Sequence, residues 1–303
     1  TGWSVGMDGY VNKTTDGGEN WVTYSSATFN YLFSIYFPNE NDTGWACGRL
    51  GTIEKTLNGG VNWTLQPTGT SQHLNSIVVD YTSSGVLNNT FCVGDNGTIL
   101  QLDSALTWTS HTSGTVNHLN SVFVLDDYKA IIAGNAGTIL KTTDTGVNWI
   151  VKQSNTVQIL REVDFPSINI GYTCGDTGTV LKSSDGGESW SNISPGGMNN
   201  FFGLDFIDEQ TGYLSGGNSA RILKTTNGGV NWVDQVTGVG AAAVLGPLMF
   251  VNVDVGFIVG DFNLRTTNGG INWVINTQGG GIDVFFSSSL TGCLLYTSDA
   301  ADE

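Results

Sequence analysis

One eight-residue phrase recurs seven times along the chain. It reads TTDGGENW ending at Trp21, TLNGGVNW at Trp63, a degraded QLDSALTW at Trp108, TTDTGVNW at Trp149, SSDGGESW at Trp190, TTNGGVNW at Trp232 and TTNGGINW at Trp273. Successive tryptophans lie 42, 45, 41, 41, 42 and 41 residues apart. A fixed period of this size marks a solenoid, a propeller or an array of small units. Catalysis needs a motif once, so seven evenly spaced copies speak first about architecture.

Each unit divides into short strands. From Leu32 to Gly69, LFSIYF is an apolar and β-branched run, GWACG follows a polar turn, TIEKT alternates, and NWTLQ follows the Asn-Gly-Gly turn. Runs bounded by Gly, Asn, Asp and Pro read as four antiparallel strands, and helical periodicity is absent. The octapeptide falls between the third and fourth strands. There its acidic or amide side chain, at Asp16, Asn58, Asp103, Asp144, Asp185, Asn227 and Asn268, is placed to accept bonds from the turn backbone. Glycine supplies the positive φ of a tight turn. The tryptophan is expected to fold back as an apolar anchor with one polar handle. One position of the first strand is apolar in every copy, at Ile35, Ile77, Val122, Val163, Leu204, Leu248 and Val284, which predicts a packed environment between neighbouring sheets.

Four-stranded units set radially leave only short, protected edges. The expected fold is all-β, a seven-bladed β-propeller of four-stranded antiparallel blades over residues 1–294. The chain begins with a second strand at TGWSVG and reaches a last first strand at GIDVFF, so the two ends are expected to share one blade and close the ring.

The pattern S/T-x-D/N-x-G-x-x-W resembles the Asp-box, or bacterial neuraminidase repeat. The fuller unit GYTCGDTGTVLKSSDGGESW, Gly171 to Trp190, is similar to the photosystem II stability and assembly factor propellers. The resemblance implies a non-catalytic propeller that docks other proteins. Photosynthetic members of that family are similar in carrying an Arg-rich patch, whereas this chain has only Arg49, Arg161, Arg221 and Arg265. Sialidases share the Asp-box but clamp a substrate carboxylate with several arginines, which four scattered ones do not readily supply. A carboxylate-pair glycosidase is the alternative, since Glu162, Asp164, Asp205 and Asp283 fall in first strands near the expected channel. Solvated acids at the channel mouth are the simpler expectation.

The candidate binding face gathers Arg49, His73, Asp95, His118, Arg161 and Glu162 with three further acids at turn tips, Asp8, Asp176 and Asp261. The tip acids are expected to decorate one face as a broken ring. His73 and His118 occupy matching places in QHLNS and NHLNS, which copying between repeats explains without a metal. No metal site or cofactor is expected. Cys47, Cys92, Cys174 and Cys293 lack CxxC spacing and read as small buried strand residues.

With 27 acidic and 11 basic residues the formal charge is −16, which opposes nucleic acid as a partner. No apolar run is long enough to form a transmembrane helix. The partner expected is a protein or a glycan, bound by a monomer. A polar, Thr/Asn/Gly-rich and Lys-poor composition favours an extracellular or periplasmic setting. The chain opens inside a repeat without an initiator Met, so a true N-terminus with any export signal is expected to lie outside it. LYTSDAADE, residues 295–303, breaks the pattern and resembles the translation of a sequencing adapter at the edge of a metagenomic assembly. It is read as a non-native tail.

Overall fold

Antiparallel pairing in strands of two to six residues accounts for almost all of the regular structure in the computed structural model, which describes residues 1–38, 42–80, 89–197, 199–217, 220–240, 243–276 and 281–286. The suspected tail and Cys293 lie outside the described residues. Seven sheets of four strands each form, and in six of them the strands follow one another in chain order. The first strands run over Leu32–Tyr36, Leu74–Val78, Leu119–Val124, Leu160–Asp164, Phe201–Phe206, Leu245–Phe250 and Asp283–Phe286. Each packs against the next, and the last packs against the first, so the ring closes as a seven-bladed β-propeller.

The closing blade is built from both ends of the chain. Asp283–Phe286 pairs with Gly2–Val5, with Gly2 opposite Phe286 and Val5 opposite Asp283. We number this blade 1 and the others 2 to 7 in chain order. The recurrent apolar residue of each first strand is buried, from Ile35 and Leu204 at 2 % exposed to Val122 at 6 %, as the repeat pattern requires. Cys47, Cys92 and Cys174 are buried free thiols.

The octapeptide joins blades as well as strands. In blade 1 the Thr14 hydroxyl donates to Asp16 Oδ1 at 2.7 Å and accepts from Gly18 N at 2.9 Å, while Asp16 Oδ1 accepts from Glu19 N and Asn20 N. Bonds from the Asn20 backbone and side chain, with that from Thr14, hold the Asp16 carboxyl well below the usual carboxylate range. The glycines at 17 and 18 take φ of 69° and 81°. A side chain at Gly18 would run into Phe257 of blade 7, just as one at Gly60 would run into Trp3 of blade 1. The second glycine is therefore a seat for the neighbouring blade. The degraded copy solves the same turn differently: Asp103 Oδ1 accepts from Ala105 N and Thr107 N, and the positive φ moves to Leu106 at 61°.

Aromatic stacking completes these joints. Trp3 of blade 1 stacks on Phe37 of blade 2 at 3.7 Å, and Phe37 meets the edge of Trp63 at 6.1 Å. Tyr172, Phe206 and Trp232 repeat the arrangement between blades 5 and 6, and Tyr213, Phe250 and Trp273 between blades 6 and 7. The expected polar handle is corrected here. Of the octapeptide tryptophans, Trp63 finds an acceptor for its indole N–H, Gly60 O at 3.0 Å, whereas the indole nitrogens of Trp108, Trp149, Trp190, Trp232 and Trp273 are buried without one. The apolar ring, not the N–H, is what the packing selects.

Candidate functional site

First strands line a central channel of about 1120 Å³. Their inward edges would leave a row of unpaired N–H groups, the usual liability of an edge strand. Side chains from the preceding blade take them up. Ile77 N donates to Ser34 Oγ, Val122 N to Ser76 Oγ and Val163 N to Ser121 Oγ, at 3.3 to 3.4 Å. At the same offset in other blades the acceptor is a carboxylate: Glu162 Oε2 takes Leu204 N at 2.8 Å and Asp283 Oδ2 takes Ile35 N at 3.0 Å. Two residues further along, Asp164 Oδ2 takes Phe206 N at 2.8 Å and Asp205 Oδ2 takes Phe250 N at 2.5 Å. The four channel acids are thus inter-blade acceptors, half-buried along the channel wall, a role that the expectation of solvated acids did not include. It also separates Glu162 from the turn-tip residues with which it was grouped.

Burial pushes Asp164 and Asp283 up to about 6. Glu162 is raised well above the carboxylate range by burial, with Asp283, Asp164 and Asp205 adding repulsion against the opposing bond from Leu204 N. Asp205 is raised by burial and then by Asp164. A carboxyl whose pKa is higher folded than unfolded favours folding most below its unfolded value, near 4, and that contribution is lost as pH climbs through the folded value. Stability is therefore expected to fall between about pH 4 and pH 7. Asp164→Asn keeps an acceptor for Phe206 N and removes the charge. It should raise stability at pH 8 by about 1–3 kcal/mol and change little at pH 4, read by urea unfolding at both values. Equal effects at the two pH values would remove the buried charge from the account.

The opposite end of the first strands carries the other candidates. Five turns share one form, with positive φ at the residue before glycine: Asp8 at 54°, Leu50 at 56°, Asn96 at 54°, Ala136 at 54° and Thr177 at 54°. Asp8 therefore sits one place later in its turn than Asp95 or Asp176, and the broken acidic ring is not a set of equivalent positions. Nor are Asp95 and Asp176 open charges. Asp95 Oδ1 meets His118 Nδ1 at 2.6 Å and Asn75 Nδ2 at 3.2 Å, and Asp176 Oδ1 meets Arg161 Nε at 2.6 Å. Asp261 is exposed and accepts from Val244 N at 2.9 Å.

His73 Nδ1 accepts from Leu50 N of the preceding blade at 3.1 Å, and Asn200 Oδ1 does the same for Thr177 N at 3.0 Å. The histidines are inter-blade connectors, and no group of three His, Cys, Asp or Glu residues suited to a metal ion occurs among the described residues. Arg161 lies over the Phe202 ring at 4.7 Å and Arg49 over Tyr31 at 5.0 Å. Arg221 pairs with Asp234 and Arg265 with Glu19. The four arginines thus engage different partners and do not converge on one clamp. Left projecting are the second-place tips, Leu50 at 61 % exposed among them, and loop residues such as Phe29 at 90 % and Val157 at 81 %.

No family model matches the chain, and no curated protein matches it. Solved structures do. A YCF48 structure with a bound D1 peptide is similar over 90 % of this chain and 86 % of that one, at 14 % identity and a TM-score of 0.67. YCF48 from Cyanidioschyzon merolae gives 17 % identity and a TM-score of 0.68 over 88 % of this chain and 90 % of that one. A GH74 xyloglucanase from Xanthomonas campestris gives 14 % and 0.61, with 88 % of this chain covering 46 % of that chain. At these identities the likeness establishes the seven-bladed propeller fold.

Proposed function

We propose that this propeller is a non-catalytic scaffold, secreted or periplasmic, that docks a protein partner on the face carrying the five matching turns. The observation that carries the reading is the use of the channel carboxylates. Glu162, Asp164, Asp205 and Asp283 each hold a backbone N–H of the next blade, so the acids that a glycosidase would need are engaged in closing the ring. The likeness to a propeller found with a bound peptide, spanning most of both chains, supports the same reading. In the GH74 comparison this chain spans about half of the enzyme, and the channel volume with its acids is the feature that favours glycan cleavage as the second reading.

The two readings separate in one paired experiment. The full chain is screened against a peptide array and a glycan array, and each glycan is assayed for new reducing ends. Saturable peptide binding, weakened at least tenfold by Leu50→Asp and unchanged by Glu162→Gln, is the expected result. Release of reducing ends that stops in Glu162→Gln or Asp205→Asn, with no peptide bound, would replace the scaffold by a hydrolase.

A further inference from the structure

Five blades place a leucine third from the end of the third strand: Leu100, Leu140, Leu181, Leu223 and Leu264, all at most 1 % exposed. Blade 2 places Glu54 there, fully buried. Its strand partners are Ala46 on one side and Leu65 on the other. Ala46 belongs to the apolar cluster that blade 2 shares with Trp3, Val5 and Val11 of blade 1, so Glu54 faces that seam. Its Oε2 accepts from Ala27 N, on the segment leaving blade 1, at 3.0 Å, and its Oε1 has no partner. In blade 1 the equivalent residue is Asn12, which is 5 % exposed and bonded to Ser4 and Thr23. Polar side chains thus replace this leucine in the blade assembled from both chain ends and in the neighbour that follows it.

We propose that the seam between blades 1 and 2 is a proton-controlled joint, closed while the Glu54 carboxyl is neutral and loosened when it ionises. A neutral carboxyl fits an apolar seam with one bond made. The anion leaves a charged oxygen buried with no donor, which costs far more than leaving a neutral group unpaired. Nothing titratable contributes compensation. Ala46 and Leu65 on its own sheet and Ala27 and Ser26 on blade 1 are uncharged, and the next residue, Lys55, is turned to the Trp45 ring at 4.5 Å. Burial pushes Glu54 up to about 7, opposed by the bond from Ala27 N and by the nearby Ser26 hydroxyl, whose own proton goes to Thr28 O at 2.8 Å, and no neighbouring charge acts on it. The sign follows directly. A carboxyl near 7 in the closed seam and near its ordinary value in an open one favours closure below about pH 4.5, and loses that preference as pH rises to 7.

The Ala27 amide reports the seam itself. Hydrogen exchange of the full chain is followed at pH 5 and pH 8, with each rate divided by its intrinsic value. Protection at Ala27 is expected to fall by about tenfold to a hundredfold in the wild type, and to stay level in Glu54→Gln and in Glu54→Leu, which restores the residue of the other blades. The acids of the channel titrate in an overlapping range, and Asp283 caps Ile35 N across this same seam, so the seam between blades 5 and 6, bridged by Glu162 and Asp164, serves as the internal control. Equal loss at both seams, or a Glu54→Gln profile that follows the wild type, would overturn the joint.

Discussion

A chain ending at Gly281 is expected to lose the sharp unfolding transition of the full chain. Such a chain lacks Asp283–Phe286, and four consequences meet at one place. The inward edge of Gly2–Val5 loses its pairing partner. Val284 and Phe286, 5 % and 4 % exposed, leave the packing between blades 7 and 1. Phe257 loses its stacking partner at 4.0 Å, and Trp21 loses the ring that it meets edge-on. Asp283 no longer caps Ile35 N of blade 2. A ring that cannot close exposes two full blade faces, whereas a single cavity exposes one pocket. The milder variant Phe286→Ala should cost about 3–5 kcal/mol. Calorimetry and urea titration check both, with a lower m value for the truncated chain as the mark of an opened ring. An unchanged midpoint after truncation would mean that the terminal strands do not close the propeller.

How much of this was legible in the sequence follows from what a repeat can encode. The period places strands, turns and the buried position of each first strand, because those are properties of one blade and are printed seven times. The pairing of chain ends follows from register, since the chain enters and leaves its repeat at complementary points. Contacts between blades are harder to read, because each joins residues about one repeat apart that differ in type. Ser34, Ser76 and Ser121 escaped notice as acceptors for this reason. Yet a signal was present: serine or a carboxylate stands immediately before the recurrent apolar residue in five of the seven first strands, at Ser34, Ser76, Ser121, Glu162 and Asp283. Read together, those residues describe one role, an acceptor for the next blade's N–H, in two chemical forms. Asp95 and Asp176 look like open charges in the sequence because their partners lie far along the chain, Asn75 and Arg161 on the first strands of their own blades and His118 at the entry to the next.

Trp149→Ala is expected to destabilise the chain by about 3–5 kcal/mol, the range for emptying a large buried aromatic site. Trp149 is 9 % exposed and meets Phe91 of blade 3 edge-on at 5.3 Å, so its removal hollows the joint between blades 3 and 4. Trp149→Phe separates packing from polarity. The indole N–H has no acceptor, so replacing it by a smaller ring should return most of the lost stability. Were the N–H a necessary anchor, Trp149→Phe would instead behave like the alanine variant. Trp232 gives the contrast within one molecule. It packs at the edge of its cluster and is only partly buried, so Trp232→Ala should cost less than Trp149→Ala although the two sit in nearly identical octapeptides. Urea midpoints of the three variants decide the matter. Equal losses at 149 and 232 would mean that the octapeptide turn, shared by both, carries the stability, and that the joint between blades does not.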